Sequence, residues 1–314
     1  MKIVILDQKT LGDDIDLNCF SQYGKVESYP VTTGAETISR LQGADIAVTN
    51  KVVIDKEIMD ATDLKLICVA ATGMNNIDLE YAAKKGIIVK NVAGYSTPSV
   101  VQTTFSIAFY LIGKLRYLDN YTKGEGWVQS EIFTHLEKPF FEITGKRWGI
   151  IGLGTIGKEV ARVARAFGAE AVYYSTSGRN RNREYPRMTL EDLLQSSDIV
   201  SIHAPLNEQT KNLINKKNLP LLKSGALLLN LGRGGIVNEA DLAEFLDQSN
   251  IMVGLDVLEK EPMSPDNPLR FVKAKERLFI TPHIAWASRE ARERLVAGIC
   301  ENIASFLKGD IYEN

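Results

Sequence analysis

The clearest chemical pattern in the chain is a G-x-G-x-x-G segment formed by Gly152, Gly154 and Gly157. It follows a predicted strand and opens a predicted helix, which is the context in which this pattern binds a dinucleotide. The first glycine permits a tight turn, the second lets the backbone approach a pyrophosphate, and the third lets helix and strand pack closely. The N–H groups of Thr155 and Ile156 at the helix start are expected to face the phosphates. An ordinary strand-to-helix turn is the competing interpretation.

The residue that contacts the ribose is expected about 20 residues further on, at the end of the second strand of the dinucleotide-binding unit. Here that strand ends in Ser175, where a carboxylate would accept hydrogen bonds from both ribose hydroxyls. Serine does not repel a 2′-phosphate, and Arg179, with Arg181 nearby, is able to pair with one. NADP is therefore a predicted cofactor beside NAD, and the alternative is a turn that is merely solvated.

Polar residues follow four later strands at or just past their C-terminal ends: His203, Arg233, Asp256 and His283. In an open α/β sheet this edge forms the ligand crevice. Glycines flank Arg233 and expose a guanidinium suited to a two-point grip on an α-keto carboxylate. Glu261 lies five residues past Asp256, and a carboxylate beside a histidine favours the protonated imidazole that a general acid needs. A surface glutamate and structural histidines are the alternatives.

Two blocks of alternating strands and helices are predicted to position these residues. The first has strands in MKIVILD, ADIAVTN, LKLICVAA and GIIVKNV, with helices around 36–41, 55–60 and 79–85. The second begins at Lys146 and has strands in RWGIIG, EAVYYS, DIVSIH, GALLLNL, IMVGLD and LFITP, with helices such as 156–167 and 239–247. This alternation is typical of parallel sheets. The predicted fold class is α/β, with two doubly wound parallel-sheet domains.

A long helix from about Pro98 to Asn120 and a loop from Tyr121 to Phe141 separate the two blocks, which predicts a domain crossing there. The last predicted helix, 289–309, carries an apolar face made of Leu295, Val296, Ile299, Ile303 and Phe306. Packing of this helix on the first sheet would make the first domain discontinuous. The predicted boundaries are 1–98 and 285–314 for a flavodoxin-like substrate domain, and 99–284 for an inserted Rossmann cofactor domain.

Composition excludes several classes of protein. The 314 residues correspond to about two domains. A net charge of −2 without a basic block argues against a nucleic-acid partner, and no apolar run reaches the roughly 18 residues of a membrane helix. The N-terminus is typical of a strand, so the expected compartment is the cytoplasm. Cys19, Cys68 and Cys300 are interpreted as structural thiols without a disulfide or metal site, and His135 as structural.

Five ordered motifs resemble the D-isomer-specific 2-hydroxyacid dehydrogenases, and within them the glycerate dehydrogenases or hydroxypyruvate reductases. They are GLGTIG at 152–157, HAPL at 203–206, NLGRGGIVNE at 230–239, GLDVLEKEP at 254–262 and TPHIAW at 281–286. The resemblance covers almost the whole chain. It implies that Arg233 grips the substrate, that His283 donates and accepts the proton, and that Glu261 forms its dyad.

The same resemblance implies further contacts. Backbone N–H groups of Thr72, Gly73 and Met74 would hold the substrate carboxylate, and Trp286 would line the substrate site. The cofactor cleft would be lined by Thr104, His203, Ala204, Pro205, Leu231, Gly232 and Asp256, with Asp256 on the nicotinamide carboxamide. The 91–98 segment and the stretch after His283 would act as hinges for domain closure.

The sequence departs from the family at two places. Ser175 replaces the usual aspartate, and Gln102 and Thr103 replace a common acidic and histidine pair, a change interpreted as neutral to the chemistry. Trp286 resembles the hydroxypyruvate reductases more than the phosphoglycerate branch, whose extra regulatory domain is not expected in a chain ending at Asn314. Aromatic residues around Trp127, together with the family habit, predict a homodimer.

The sequence therefore predicts an oxidoreductase that reduces hydroxypyruvate or glyoxylate to D-glycerate or glycolate with NAD or NADP as cofactor. One alternative within the enzymes is a D-lactate dehydrogenase or broad 2-ketoacid reductase, because one methylene in a pocket changes selectivity by only about 1 to 3 kcal/mol. A second alternative, from another class, is a nucleotide-sensing binding protein similar to the corepressors of this fold family. Turnover on a panel of 2-oxo acids separates the enzyme from the sensor.

Overall fold

The computed structural model describes residues 1–309, which form two compact units. The first unit contains Met1–Ser96 and the chain from Ala287 onward, and the second contains Thr97–Trp286. The chain thus leaves the first unit once and returns to it. The predicted boundaries fell at 98 and 284, and the last five residues of the predicted range 285–314 lie outside the described residues. The roles assigned to the two domains stay predictions.

The first unit contains a five-stranded parallel sheet. Its strands are β1 (Lys2–Ile5), β2 (Lys25–Ser28), β3 (Ile46–Thr49), β4 (Leu66–Val69) and β5 (Ile88–Lys90), in the order β2-β1-β3-β4-β5. Strands β3 and β4 are buried along their whole length, which explains their continuous apolar sequences. The sequence prediction missed β2, because this edge strand, Lys-Val-Glu-Ser, has a single apolar residue and no buried position.

Four helices accompany this sheet: α1 (Gly34–Leu41), α2 (Lys56–Asp60), α3 (Leu79–Lys85) and, from the end of the described chain, α10 (Arg289–Lys308). Helix α10 packs against β4. Four of its five predicted apolar positions are buried, whereas Phe306 is half-buried. Cys300 of α10 also faces inward, and its Sγ lies 2.6 Å from that of Cys19. The two thiols, interpreted separately in the sequence, therefore form a contact between distant segments.

The second unit contains a six-stranded parallel sheet. Its strands are β6 (Arg147–Ile151), β7 (Glu170–Tyr174), β8 (Ile199–Ile202), β9 (Leu227–Asn230), β10 (Met252–Leu255) and β11 (Leu278–Ile280), in the order β11-β10-β9-β8-β6-β7. Beyond β7, Arg187 forms one more parallel bridge to Tyr173. The chain progresses outward in opposite directions from β6, so the switch point of the sheet lies between β6 and β8, where doubly wound sheets bind ligands.

The helices of the second unit are α4 (Thr97–Ile112), α5 (Leu115–Lys123), α6 (Glu125–Val128), α7 (Thr155–Ala166), α8 (Leu190–Ser196) and α9 (Glu239–Gln248). The prediction of one helix from Pro98 to Asn120 was wrong. The apolar sequence of α4 ends at Ile112, and Lys114 adopts a left-handed conformation with φ of 50°, which breaks the helix. Helix α6 also occupies part of the segment predicted as a loop.

The fold class predicted from the sequence is confirmed, because both units are parallel-sheet α/β structures. Helix α4 packs against β9, β10 and α7, and its Phe105 ring lies 4.8 Å from that of the fully buried Trp148. This packing fixes the edge of the second sheet that carries the glycine-rich loop. None of the helices in residues 1–309 combines the length and the apolar character of a membrane span.

Candidate active site

The glycine-rich segment forms the turn between β6 and α7. Gly152 has a φ of +93°, which only glycine adopts readily. A Cβ on Gly157 would lie 2.2 Å from the Gly152 carbonyl oxygen, so close packing of strand and helix requires glycine there. Gly154 caps α7, and nothing lies within 4 Å of the place where its Cβ would be. Thr155 and Ile156 supply the first helical N–H groups beside this open space.

The turn after β7 is tied to the glycine-rich loop. The Ser175 hydroxyl is buried and accepts a hydrogen bond from the Asn180 backbone N–H at 3.3 Å. Asn180 Nδ2 in turn donates to the Leu153 carbonyl at 2.7 Å, inside the glycine-rich loop. The side chain of Arg179 is exposed at the tip of this turn. Asn180 was not singled out from the sequence, because its amide acts through tertiary contact and its neighbours are polar as in any surface turn.

His203 follows β8, on the other side of the switch point. Both nitrogens of its ring are buried without a hydrogen-bond partner in the described chain. Burial lowers the pKa of His203 to about 3, so the ring is neutral near neutral pH. Ala204 packs between Gly152 and Gly232, where a Cβ on either glycine would approach its backbone within 3.0 Å. Pro205 is exposed, whereas Leu231 is buried.

These features fit a dinucleotide cofactor. The open side of Gly154 leaves room for a phosphate, and the start of α7 offers N–H groups to it. The two buried, unpartnered nitrogens of His203 are polar groups whose burial costs free energy unless a ligand completes their hydrogen bonds. The residues that would hold the group are thus those of the 152–157 loop, the Ser175 turn and the end of β8.

Arg233 follows β9 and is held through its backbone. Asn230 Nδ2 donates to the Arg233 carbonyl at 3.0 Å, and Asn230 Oδ1 accepts from the Gly232 N–H at 3.1 Å. Arg233 Nη1 donates to the carbonyl of Gly232 at 2.8 Å, and the side chain is half-buried. The salt bridges found within residues 1–309 do not include Arg233. Its charge is therefore available to an anion.

His283 and Glu261 form a direct pair. His283 Nδ1 lies 2.7 Å from Glu261 Oε2, and both side chains are partly exposed. The other carboxylate oxygen, Oε1, accepts from the Leu258 N–H at 2.9 Å, so Glu261 is anchored independently of the histidine. Because Nδ1 faces the carboxylate, Nε2 is the nitrogen left for a substrate. The loop of Arg233 packs against this one, since a Cβ on Gly234 would lie 1.8 Å from the Leu258 carbonyl oxygen.

Asp256 is the third titratable group at this edge, and it binds backbone. It is 2% exposed and its carboxylate accepts from the N–H groups of Ile284 and Ala285, each at 2.9 Å. Thr281 Oγ1 donates to the same carboxylate at 2.6 Å. Burial raises the pKa of Asp256, while these three donors oppose that rise. Thr281 was missed in the sequence, where only its position before the Pro-His pair marked it.

The other predicted site residues occupy three further places. Thr104 is fully buried in α4, with its hydroxyl donating to the Val100 carbonyl at 2.7 Å. Trp286 is half-buried against the core of the second unit. Thr72, Gly73 and Met74 belong to the first unit, in the loop after β4, where Thr72 Oγ1 donates to the Val92 carbonyl at 3.3 Å. The second unit therefore brings together the pair Glu261–His283 with the ends of β9 and β10.

A dinucleotide cradle, an available guanidinium and a histidine–carboxylate pair on one sheet define the class, an oxidoreductase that uses a nicotinamide dinucleotide. Residues 105–285 match the family described as D-isomer specific 2-hydroxyacid dehydrogenase, NAD binding domain. The chain therefore belongs to the D-isomer-specific 2-hydroxyacid dehydrogenases, which confirms the family predicted from the motifs.

Individual relatives agree with this assignment over the full length. The chain is 34% identical to hydroxypyruvate reductase of Blautia hydrogenotrophica, covering 98% of both proteins. It is also 34% identical to glycerate dehydrogenase of Methylorubrum extorquens, covering 98% of this chain and 96% of that one. Among solved structures, an acyclic imino acid reductase in complex with NADPH and D-Arg superposes with a TM-score of 0.85, at 30% identity over 98% of both chains. D-lactate dehydrogenase of Aquifex aeolicus, complexed with NAD and lactic acid, gives 0.84 at 25% identity, over 99% of this chain and 96% of that one.

Proposed function

We propose that this enzyme reduces hydroxypyruvate or glyoxylate to D-glycerate or glycolate. The observation that carries the proposal is the 2.7 Å pair between His283 and Glu261, with the available charge of Arg233 at the same edge of the sheet. The names of the relatives, hydroxypyruvate reductase and glycerate dehydrogenase, support the class of substrate. An α-keto carboxylate offers the two groups that this edge suits, an anion and a carbonyl oxygen that receives a proton.

The roles of the residues follow from their contacts. A nicotinamide cofactor held by the 152–157 loop would supply the hydride. His283 then holds the proton at Nε2 for the carbonyl oxygen, because Nδ1 is engaged with Glu261, whose negative charge stabilises the imidazolium. Arg233 orients the substrate carboxylate and stabilises the charge that develops on the oxygen. General acid catalysis of this kind contributes about 10² to 10⁴ in rate.

Steady-state kinetics test the proposal. We expect kcat/KM for hydroxypyruvate or glyoxylate to exceed that for pyruvate, with oxidation of the cofactor followed by absorbance. Arg233→Gln should raise KM for the acid, because the neutral amide cannot form a charge-assisted bidentate contact. Arg270→Gln is the matched control, since its guanidinium is also in the second unit but bonds to the Pro265 carbonyl. Absence of turnover on all three acids would contradict the proposal.

We further propose that NADPH is accepted at least as well as NADH. Ser175 provides no carboxylate to repel a 2′-phosphate, and the exposed Arg179 provides a cation to pair with it, a contact worth about 1.5 to 3 kcal/mol when well placed. Ser175→Asp should move preference toward NADH by several-fold. Arg179→Ala should weaken NADPH binding alone, and Arg183→Ala, an exposed arginine further along, is its control. Equal effects of Arg179→Ala on both cofactors would contradict the assignment.

A homodimer is proposed as the working assembly. The 127–140 segment exposes six large apolar residues, which we call the apolar arm: Trp127, Val128, Ile132, Phe133, Leu136 and Phe140. Exposed apolar patches mark protein interfaces when they are large. Light scattering should give twice the chain mass of 34.8 kDa.

We expect the cytoplasm as the compartment.

A pair of matched variants tests the interface. Phe133, in the apolar arm, is 89% exposed, and Phe271, also in the second unit but outside the arm, is 68% exposed. Phe133→Asp should reduce the mass toward that of one chain at micromolar concentration, whereas Phe271→Asp should leave the dimer intact. A wild-type mass of 34.8 kDa would count against the dimer.

A further inference from the structure

His283 has an unusual backbone conformation that something must hold. Its φ of 54° lies in the left-handed region, which is costly for a residue with a Cβ. The residue forms a tight turn in which its own N–H bonds to the carbonyls of Thr281 and Asp256, each at 2.9 Å. Such a conformation persists only where the surrounding contacts impose it. The position of the imidazole therefore depends on what fixes this turn.

The carboxylate of Asp256 fixes the chain on the far side of the turn. It accepts the two successive N–H groups of Ile284 and Ala285 with different oxygens, Oδ1 and Oδ2. Because the main-chain carbonyl of Asp256 also accepts the His283 N–H, one residue holds three consecutive N–H groups. The side chain is nearly fully buried, so water does not replace these bonds.

Thr281 holds that carboxylate from the near side of the turn. Its Oγ1 donates to Asp256 Oδ1 at 2.6 Å, and its backbone N–H is bonded to the Leu255 carbonyl at 2.9 Å. The donor is therefore attached to the sheet, and it fixes the rotation of the carboxylate that grips the residues after His283. Burial raises the pKa of Asp256, and the hydroxyl donor favours the ionised form that accepts both N–H groups.

The imidazole is fixed from a different direction. Glu261 is bonded to Leu258 through Oε1 and to His283 through Oε2. The histidine ring thus meets its partner at 2.7 Å only while the turn keeps its present shape. A change of the turn by a fraction of an ångström would lengthen that hydrogen bond without altering either partner.

We infer that Thr281 is a positioning residue for His283, acting through the carboxylate of Asp256. The inference rests on the proposed function only for its kinetic consequence. Removal of the hydroxyl should loosen the His283–Glu261 pair and slow proton transfer, while cofactor binding at the 152–157 loop stays the same.

Three variants test the inference. Thr281→Val is nearly isosteric and lacks the donor, whereas Thr281→Ser keeps it. Thr49→Val is the matched control, because Thr49 is a fully buried threonine of the first unit whose Oγ1 lies 3.4 Å from the buried carboxylate of Asp7. Thr281→Ala supplies a second hydroxyl-free variant if Thr281→Val does not fold.

The first readout needs no turnover. The Nδ1–H proton of a histidine bonded to a carboxylate gives a downfield NMR signal, and Glu261→Gln identifies it. We expect this signal to broaden or disappear in Thr281→Val and to persist in Thr281→Ser and Thr49→Val. The second readout is kinetic: Thr281→Val should lower kcat about tenfold with KM nearly unchanged, since small misplacements of a catalytic group are costly. Thr281→Ser should restore kcat.

Two outcomes would overturn the inference. One is a Thr281→Val protein that keeps the NMR signal. The other is loss of the signal in both Thr281→Val and Thr281→Ser, since the serine variant keeps the hydroxyl and the effect would then not depend on the donor. A wild-type enzyme without turnover on any 2-oxo acid would contradict the proposed function alone, because the NMR comparison still decides the role of Thr281.

Discussion

The two units share an arrangement at the carboxyl edge of their sheets, in which a buried aspartate accepts hydrogen bonds from backbone N–H groups that follow the neighbouring strand. In the first, Asp7 follows β1, is 6% exposed, and accepts from the N–H groups of Asn50 at 2.9 Å and Lys51 at 2.7 Å, just after the neighbouring strand β3. In the second, Asp256 follows β10 and accepts from Ile284 and Ala285, after the neighbouring strand β11. In each case a threonine hydroxyl approaches the carboxylate as well.

The difference lies in what separates the strand from the gripped residues. Strand β3 ends at Thr49, and the next residue, Asn50, already donates its N–H to the carboxylate of Asp7. Strand β11 ends at Ile280, and residues 281–283 form a turn before the gripped Ile284. In the first unit none of Asp7, Thr49, Asn50 and Lys51 has a positive φ, whereas His283 in the second unit does. We call each aspartate, together with the N–H groups that its carboxylate accepts, a carboxylate clamp. The clamp of Asp7 stabilises a loop, whereas the clamp of Asp256 also positions a histidine.

The largest expected effect comes from substituting His283, the histidine that only the Asp256 clamp positions. His283→Asn should lower kcat by about 10² to 10⁴, because the amide does not carry the proton. Cofactor affinity, measured by quenching of protein fluorescence, should be unchanged, since the glycine-rich loop is intact. His135→Asn is the matched control: its ring bonds to the Tyr117 hydroxyl at 2.9 Å in the same unit, and turnover should persist. Retention of more than about a tenth of kcat in His283→Asn would contradict the role of the histidine.

Substitution of Asp7 and of Asp256 tests whether the two carboxylate clamps differ only in the residues that they hold. Asp256→Asn and Asp7→Asn should each destabilise the protein by about 1.5 to 3 kcal/mol, because an amide cannot accept from two N–H groups as a carboxylate does. Only Asp256→Asn should also reduce kcat, by about tenfold or more. Thermal denaturation and kinetics of the two variants give the comparison. Loss of the downfield His283 signal in Asp7→Asn would show that the two clamps are not independent.

A smaller effect is expected from removing the negative charge of Glu261, whose carboxylate faces His283. Glu261→Gln should reduce turnover at neutral pH several-fold, because the neutral amide does not stabilise the charge of the imidazolium as the carboxylate does. Glu259→Gln, an exposed glutamate two residues earlier, is the control. The measurement is kcat/KM at neutral pH. An unchanged kcat/KM in Glu261→Gln would remove Glu261 from the pair.

Some elements of this fold are predictable from the sequence and others are not. Strands β3, β4 and β8–β10 were predictable because they are buried along their whole length, and buried parallel strands are continuous apolar runs. The edge strand β2 and the break at Lys114 were not, since each depends on a few residues whose local preferences are weak. The glycine-rich loop was predictable from local spacing alone, because its turn needs glycine at fixed places.

Tertiary pairs were predictable only in part. The Glu261–His283 pair was expected from the family resemblance, and the structure brings the two side chains to 2.7 Å. The clamp of Asp256 was not, because its partners lie 25 to 29 residues away and two of them are backbone N–H groups, which leave no trace in the residue types. The same holds for Asn180, which reaches Leu153 across 27 residues.

The smallest effect concerns stability and again separates the two units. All three histidines and all three tryptophans of the chain lie in the second unit. Burial lowers the pKa of His203 to about 3 in the folded state, against 6.5 in the unfolded chain, so the unfolded state binds one more proton between these values. Stability of the second unit should therefore fall as the pH drops below 6.5, by about 1 kcal/mol between pH 6 and pH 5 from this residue.

Thermal unfolding followed by tryptophan emission reports this loss in the second unit, because Trp148 is fully buried in its core. At about 2 to 4 °C per kcal/mol for a unit of this size, the midpoint should fall by about 2 to 4 °C between pH 6 and pH 5. His203→Leu removes the titrating ring and should make this slope shallower, while His135→Asn, whose ring bonds to Tyr117, should retain it. Equal slopes in wild type and His203→Leu would show that His203 accepts a proton in the folded state and that its burial is not what destabilises the second unit in acid.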